Sequence, residues 1–89
     1  MKEIKVLSYP NPFITSSTLE FQSSQDSPNG SVEIYSLVGS KIASLFNNTI
    51  EANKIYKVIW EATNVPNGIY FYKIVCDEKI TTSRLILVN

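Results

Sequence analysis

Apolar and polar residues alternate with a period of two along almost the whole chain, and no segment sustains the i, i+3, i+4, i+7 spacing of an amphipathic helix. Successive side chains of a strand point to opposite faces, so this pattern describes a series of half-buried strands. Leu19-Glu20-Phe21 and Val32-Glu33-Ile34 show it plainly. Tyr56-Lys57-Val58-Ile59-Trp60 puts Tyr56, Val58 and Trp60 on one face. Lys73 marks the solvent side of the run Ile69 to Cys76, which predicts Tyr70, Tyr72, Ile74 and Cys76 facing inward. β-branched and aromatic residues dominate these runs and suit a pleated surface.

Turn-forming residues punctuate the runs: Pro10-Asn11-Pro12, Pro28-Asn29-Gly30, Gly39, Asn47-Asn48, Pro66-Asn67-Gly68 and Asp77-Glu78. They divide the chain into seven strands, expected at about 4–8, 17–22, 31–36, 41–46, 55–60, 69–76 and 80–88. Seven short strands within 89 residues imply an all-β, immunoglobulin-like antiparallel β-sandwich of two sheets. The core is expected to hold Trp60, Val58, Tyr70 and Ile74. Gly68 is expected at positive φ or in a tightly packed turn. The last strand is unusual, because Leu85 and Leu87 on one face are matched by Ile86 and Val88 on the other.

The composition is that of a globular chain, 44% hydrophobic and 18% charged. Eight basic and eight acidic residues leave a formal net charge of zero, so no basic field exists to hold nucleic acid. There is no histidine, which removes the commonest general acid/base and metal ligand. The lone Cys76 allows no internal disulfide and reads as a small core hydrophobe. No metal, cofactor or small-molecule substrate is expected, and no carboxylate pair at a defined spacing suggests an enzyme. No apolar run approaches the roughly 20 residues that span a membrane as a helix. Met1-Lys2-Glu3-Ile4-Lys5 does not lead into a signal-peptide apolar region. Either the protein is cytoplasmic, or residues 1–89 are one domain at the downstream end of a longer chain whose export signal lies elsewhere; we read it as the second, with Met1 an expression start. Asn47-Asn48-Thr49 matches a glycosylation sequon, a pattern short enough to arise by coincidence.

Three stretches together resemble the type A C-terminal sorting domain of the bacterial type IX secretion system. They are Tyr9-Pro10-Asn11-Pro12-Phe13, the run Val32 to Leu45 around Gly39, and the run from Trp60 through Pro66-Asn67-Gly68-Ile69-Tyr70 to Leu85-Ile86-Leu87-Val88. The chain has Ser36 where that family commonly carries Asp, delays the charge after the turn glycine to Lys41, and ends on Asn89. On physical grounds Tyr9, Pro10, Asn11 and Pro12 form a stiff turn that swings the chain from one sheet to the other. Gly39, Pro66 and Gly68 set turns, and Trp60 and Tyr70 build the core, where the Tyr70 hydroxyl needs a partner. The resemblance implies a folded signal at the C-terminus of a passenger protein. It also implies transit through the periplasm, engagement of an outer-membrane translocon, cleavage by a sortase-like peptidase, and a secreted or cell-surface destination.

An exposed strand edge offers unpaired main-chain groups to another chain. Arg84, Leu85, Ile86, Leu87, Val88 and Asn89 are therefore the candidate residues for translocon recognition. The same edge is a candidate for self-association of the isolated domain; the alternative is that both faces are covered within the domain. Two other functions fit an immunoglobulin-like chain: a structural module like that of flagellar hook-capping proteins, and a carbohydrate-binding module. The second requires Trp60 and several tyrosines open to solvent on one face.

Overall fold

The computed structural model describes residues 4–88. Seven strands run in the order β1 (Ile4–Tyr9), β2 (Ser16–Ser23), β3 (Ser27–Ser36), β4 (Lys41–Ile50), β5 (Ile55–Glu61), β6 (Gly68–Cys76) and β7 (Lys79–Leu87). They form two antiparallel sheets, one ordered β1-β2-β5 and the other β4-β3-β6-β7. The expected sandwich is what the chain builds.

Period two explains which residues fill the core. In β2, Ser17, Leu19, Phe21 and Ser23 are buried and alternate with half-buried Ser16, Thr18, Glu20 and Gln22. In β6 the buried set is Tyr70, Tyr72, Ile74 and Cys76, as the alternation about Lys73 predicts. Between the sheets the rings make two clusters. Trp60, 4% exposed, lies 5.5 Å from Phe13 and 5.1 Å from Tyr70 between ring centroids. Phe21, Phe46 and Tyr56 form the other, each pair within 5.5 Å. Val58 is half-buried against this core.

Two expected turns are not turns. Pro28-Asn29-Gly30 belongs to β3, which begins at Ser27 rather than at 31. Its irregularity appears as register shifts against β4, between Ser27 and Gly30 and twice more further along. A strand with such bulges accommodates Pro where a regular ladder does not. Gly30 serves close approach here: a Cβ on it would sit 2.2 Å from Cδ1 of the fully buried Ile50. Asn47-Asn48 likewise lies inside β4, which runs on to Ile50. The turn comes at Ala52-Asn53, where Asn53 takes the left-handed conformation (φ 64°). Asn tolerates that region because its short polar side chain bonds locally.

The turn glycines are where they were expected. Gly39 has φ 90° and donates its N–H to the Ser36 carbonyl, closing the β3–β4 hairpin. Gly68 has φ 148° with no atom near its missing side chain, so its requirement is one of backbone conformation. The buried Tyr70 hydroxyl donates to the Pro66 carbonyl, which ties the start of β6 to its preceding loop.

Candidate functional site

The three stretches that carry the resemblance converge on one end of the sandwich. Strand β6 begins there at Gly68, paired with Leu87 at the end of β7. The Ser36–Lys41 hairpin lies beside it, since Ser36 pairs with Tyr70. Strand β1 starts at the opposite end: Ile4 pairs with Ser23, whose hydroxyl meets the Cys76 thiol at 3.3 Å. From Gly68 to Cys76 is nine residues of strand, roughly 26 Å at 3.3 Å per residue.

The segment Pro10–Phe13 organises the converging end. Both of its X–Pro bonds, Tyr9–Pro10 and Asn11–Pro12, are cis. It leaves β1 in the three-stranded sheet and crosses to the free edge of β7 in the four-stranded one. The turn does swing the chain between sheets, as the sequence predicts. On the first side, Ser17 of β2 donates its hydroxyl to the Pro10 carbonyl at 2.9 Å. On the other, the Asn11 carboxamide donates to the Arg84 carbonyl and accepts from the Ile86 N–H, both at 3.0 Å. The Phe13 N–H then donates to the Ile86 carbonyl at 2.8 Å, and the Phe13 carbonyl accepts from the Val88 N–H at 2.9 Å. The result is a short parallel bridge between Phe13 and Leu87. The Phe13 ring turns inward, 1% exposed, and packs on Trp60.

This geometry corrects the expectation of an open edge at residues 84–88. The Arg84 carbonyl, the Ile86 N–H and carbonyl and the Val88 N–H, all on the edge away from β6, are taken by Asn11 and Phe13 of the same chain. They offer no free template for self-association or for an incoming strand. Nor are the two faces of this stretch equivalent. Leu85 and Leu87 are fully buried, Ile86 is half-buried on the outer face, and Arg84 and Val88 are exposed. Asn89 lies outside the described residues. The side chains of Arg84, Ile86 and Val88 thus lie on the outer face, while Leu85 and Leu87 belong to the core.

The same end carries exposed apolar side chains that the sequence reading did not single out. Leu37 and Val38 of the hairpin are 66% and 88% exposed, and they line a shallow cleft of about 240 Å³ with Pro66, Gly68 and Ile69. Two exposed apolar residues at the tip of a hairpin were a readable signal. Trp60, by contrast, is unavailable as a sugar platform.

Elsewhere the polar chemistry is modest. On the outer face of β3 the Tyr35 hydroxyl and the Lys41 ammonium each donate to Glu33, at 2.8 and 2.9 Å. The hydrogen bond from Lys41, then that from Tyr35, holds the Glu33 carboxyl below its ordinary range, and the same bonds raise Lys41 and Tyr35. Among the described residues no three carboxylate, thiol or imidazole groups gather in a way that could hold a metal ion. No described helix is long and apolar enough to cross a membrane.

The family described as "Secretion system C-terminal sorting domain" matches residues 7–89. Among curated proteins none matches. The crystal structure of dimeric latent PorU from Porphyromonas gingivalis is similar in fold, with a TM-score of 0.71 at 21% identity. The match covers 99% of this chain and 9% of that one.

Proposed function

The chain belongs to the family of secretion system C-terminal sorting domains, and from that premise we propose how this one acts. It is the folded export signal of a larger protein, joined to its passenger on the β1 side. The outer-membrane translocon of the type IX system reads it, and a sortase-like peptidase then separates it from the passenger, leaving the passenger attached to the surface or released. The chain itself performs no reaction.

One observation supports this reading above the others. The family's three motif stretches meet at the end of the sandwich remote from Ile4, where a passenger joined at β1 would leave them accessible. Within that end, Arg84, Ile86 and Val88 point outward and are the residues we assign to recognition. Tyr9, Pro10, Asn11, Pro12, Gly39, Trp60, Pro66, Gly68 and Tyr70 hold the surface in shape.

Deleting residues 85–89 would not test this, because Leu85 and Leu87 are core and their loss would unfold the sandwich. The informative variant is Arg84→Ser/Ile86→Thr/Val88→Thr, attached to a reporter with an inner-membrane signal in a bacterium that carries the system. Reporter held in the periplasm, with the purified variant as stable as the wild type, is the expected result. Normal export of that variant would refute the residue assignment. Export of the wild-type reporter in a strain lacking the translocon would refute the sorting reading itself.

A further inference from the structure

The tripeptide Pro-Asn-Gly occurs twice, as Pro28-Asn29-Gly30 and as Pro66-Asn67-Gly68. An asparagine followed by glycine carries a latent reaction. The glycine main-chain nitrogen can attack the asparagine side-chain carbonyl, and the absent Cβ leaves that approach open. The two tripeptides are identical, so what separates their reactivity is the fold. In the first, Gly30 is buried inside β3, paired with Asn48 on one side and Cys76 on the other, and crowded by the Ile50 side chain. Moving its nitrogen onto Asn29 would break the middle of the sheet. In the second, Asn67 lies in the loop before β6 and is exposed. Gly68, also exposed, is the first residue of β6, pairs on one side with Leu87, and has open space where a side chain would be. A strand end opens more readily than a strand interior flanked on both sides. Asn11, in the Pro10–Phe13 strap, has no such route, because it is followed by Pro12, whose nitrogen carries no hydrogen to give up.

We propose that Asn67 is a site of self-modification: the folded domain deamidates there, to aspartyl and isoaspartyl products, well ahead of Asn29. The Gly68 nitrogen bonds to Asn67 Cγ, the Cγ–Nδ2 bond breaks, and Nδ2 leaves as ammonia with the proton from Gly68. Water then opens the cyclic imide. Attack at Cγ restores the original main chain with an aspartyl side chain. Attack at the main-chain carbonyl leaves the chain running through Cβ and Cγ, one carbon longer. Either product places a carboxylate in the cleft that Asn67 lines with Leu37, Val38 and Ile69. The longer product also stretches the link between Pro66, whose carbonyl holds the Tyr70 hydroxyl, and Gly68, which pairs β6 with the end of β7. Deamidation at Asn67 therefore alters the converging end of the sandwich in charge, and in its isoaspartyl form also in shape.

The test is made on the purified chain and needs no secretion machinery, so it stands apart from the sorting reading. Folded protein is incubated in mildly alkaline buffer and mapped by peptide mass spectrometry, with isoaspartate counted by an isoaspartyl methyltransferase. Conversion at Asn67 should outpace conversion at Asn29 by at least roughly tenfold. In concentrated urea, where both tripeptides are bare, the two rates should come together. Similar rates in the folded chain, a difference that persists in urea, or an Asn67 that converts only in urea would each overturn the proposal. The isoaspartyl fraction, separated by chromatography, should unfold at a lower urea concentration than Asn67→Asp, which carries the same charge on an unaltered main chain. Equal midpoints would overturn the change of shape.

Discussion

The two halves of β7 meet the same hazard in different ways. From Lys79 to Ser83 the strand reads Lys-Ile-Thr-Thr-Ser, and among the described residues no strand or strap pairs with its outer edge. From Arg84 to Val88 it reads Arg-Leu-Ile-Leu-Val, and its outer edge is closed by Asn11 and Phe13. The first half is rich in hydroxyls and begins with a charge, which makes a bare edge tolerable in water. The second has no polar side chain after Arg84, and there the chain spends a loop on it. Edge protection therefore follows the side chains: covering is added where polarity is missing.

The hardest blow to this division is Phe13→Ala. The ring is 1% exposed and packed at a tilt against Trp60, and its loss should cost about 3–5 kcal/mol. Because the same residue carries two of the strap bonds, local opening of residues 84–88 should precede global unfolding. Urea unfolding would give the loss in stability, and exchange at Ile86 and Val88 in the absence of urea would give the order. Loss of stability with the strap still closed would mean that the strap is held by Asn11 and Ser17 alone.

Much of this was legible beforehand, and the gaps have physical causes. Alternation located all seven strands and the inward faces of β2, β5 and β6, because period two follows from the pleat itself. Turn chemistry was less reliable. Pro28-Asn29-Gly30 contains turn formers that β3 absorbs at a register shift, and Asn47-Asn48 pairs in regular register within β4; only the position of Ile50 against Gly30 says why glycine is there. The doubly apolar end of β7 was visible, but its cover was not. The partner lies more than 70 residues earlier in Asn11, and an asparagine whose carboxamide caps a strand edge looks the same in sequence as one that makes a turn.

A gentler change tests the open half. Thr82→Val replaces an exposed hydroxyl by a methyl at a position away from the core, so stability should move by no more than about 0.5 kcal/mol. If hydroxyls are what make that edge tolerable, the variant should associate at lower concentration than the wild type, as read by light scattering across a dilution series. Association identical to the wild type would show that the open half is protected by something other than its polarity.

The smallest effect separates the strap from the charged surface of the same sheet. Strap bonds are made by a carboxamide and by main-chain groups, none of which titrates near neutrality. Glu33 and Tyr35, two strands away, and Lys41, three strands away, do titrate, and their mutual hydrogen bonds lower Glu33 and raise the other two. A carboxyl lowered in the folded state stabilises fully above its unfolded value, near 4.3, and that contribution is lost as pH falls through the folded value. The raised Lys41 acts at the other extreme, its share present below its unfolded value and lost only as pH rises through the folded one. Exposure of this pair to solvent keeps both contributions small. Glu33→Gln should therefore be slightly less stable than the wild type at pH 7, with the gap closing as pH falls below the unfolded value and through the lowered folded one, as read from urea midpoints. Over the same range, Ile86 protection, corrected for the intrinsic exchange rate, should follow global stability alone and be alike in the two proteins once that is matched. A gap that does not narrow as acid protonates the carboxyl would remove the ionised carboxylate as its cause. An Ile86 amide that opens with acid ahead of the rest of β7 would mean that the strap depends on a charge after all.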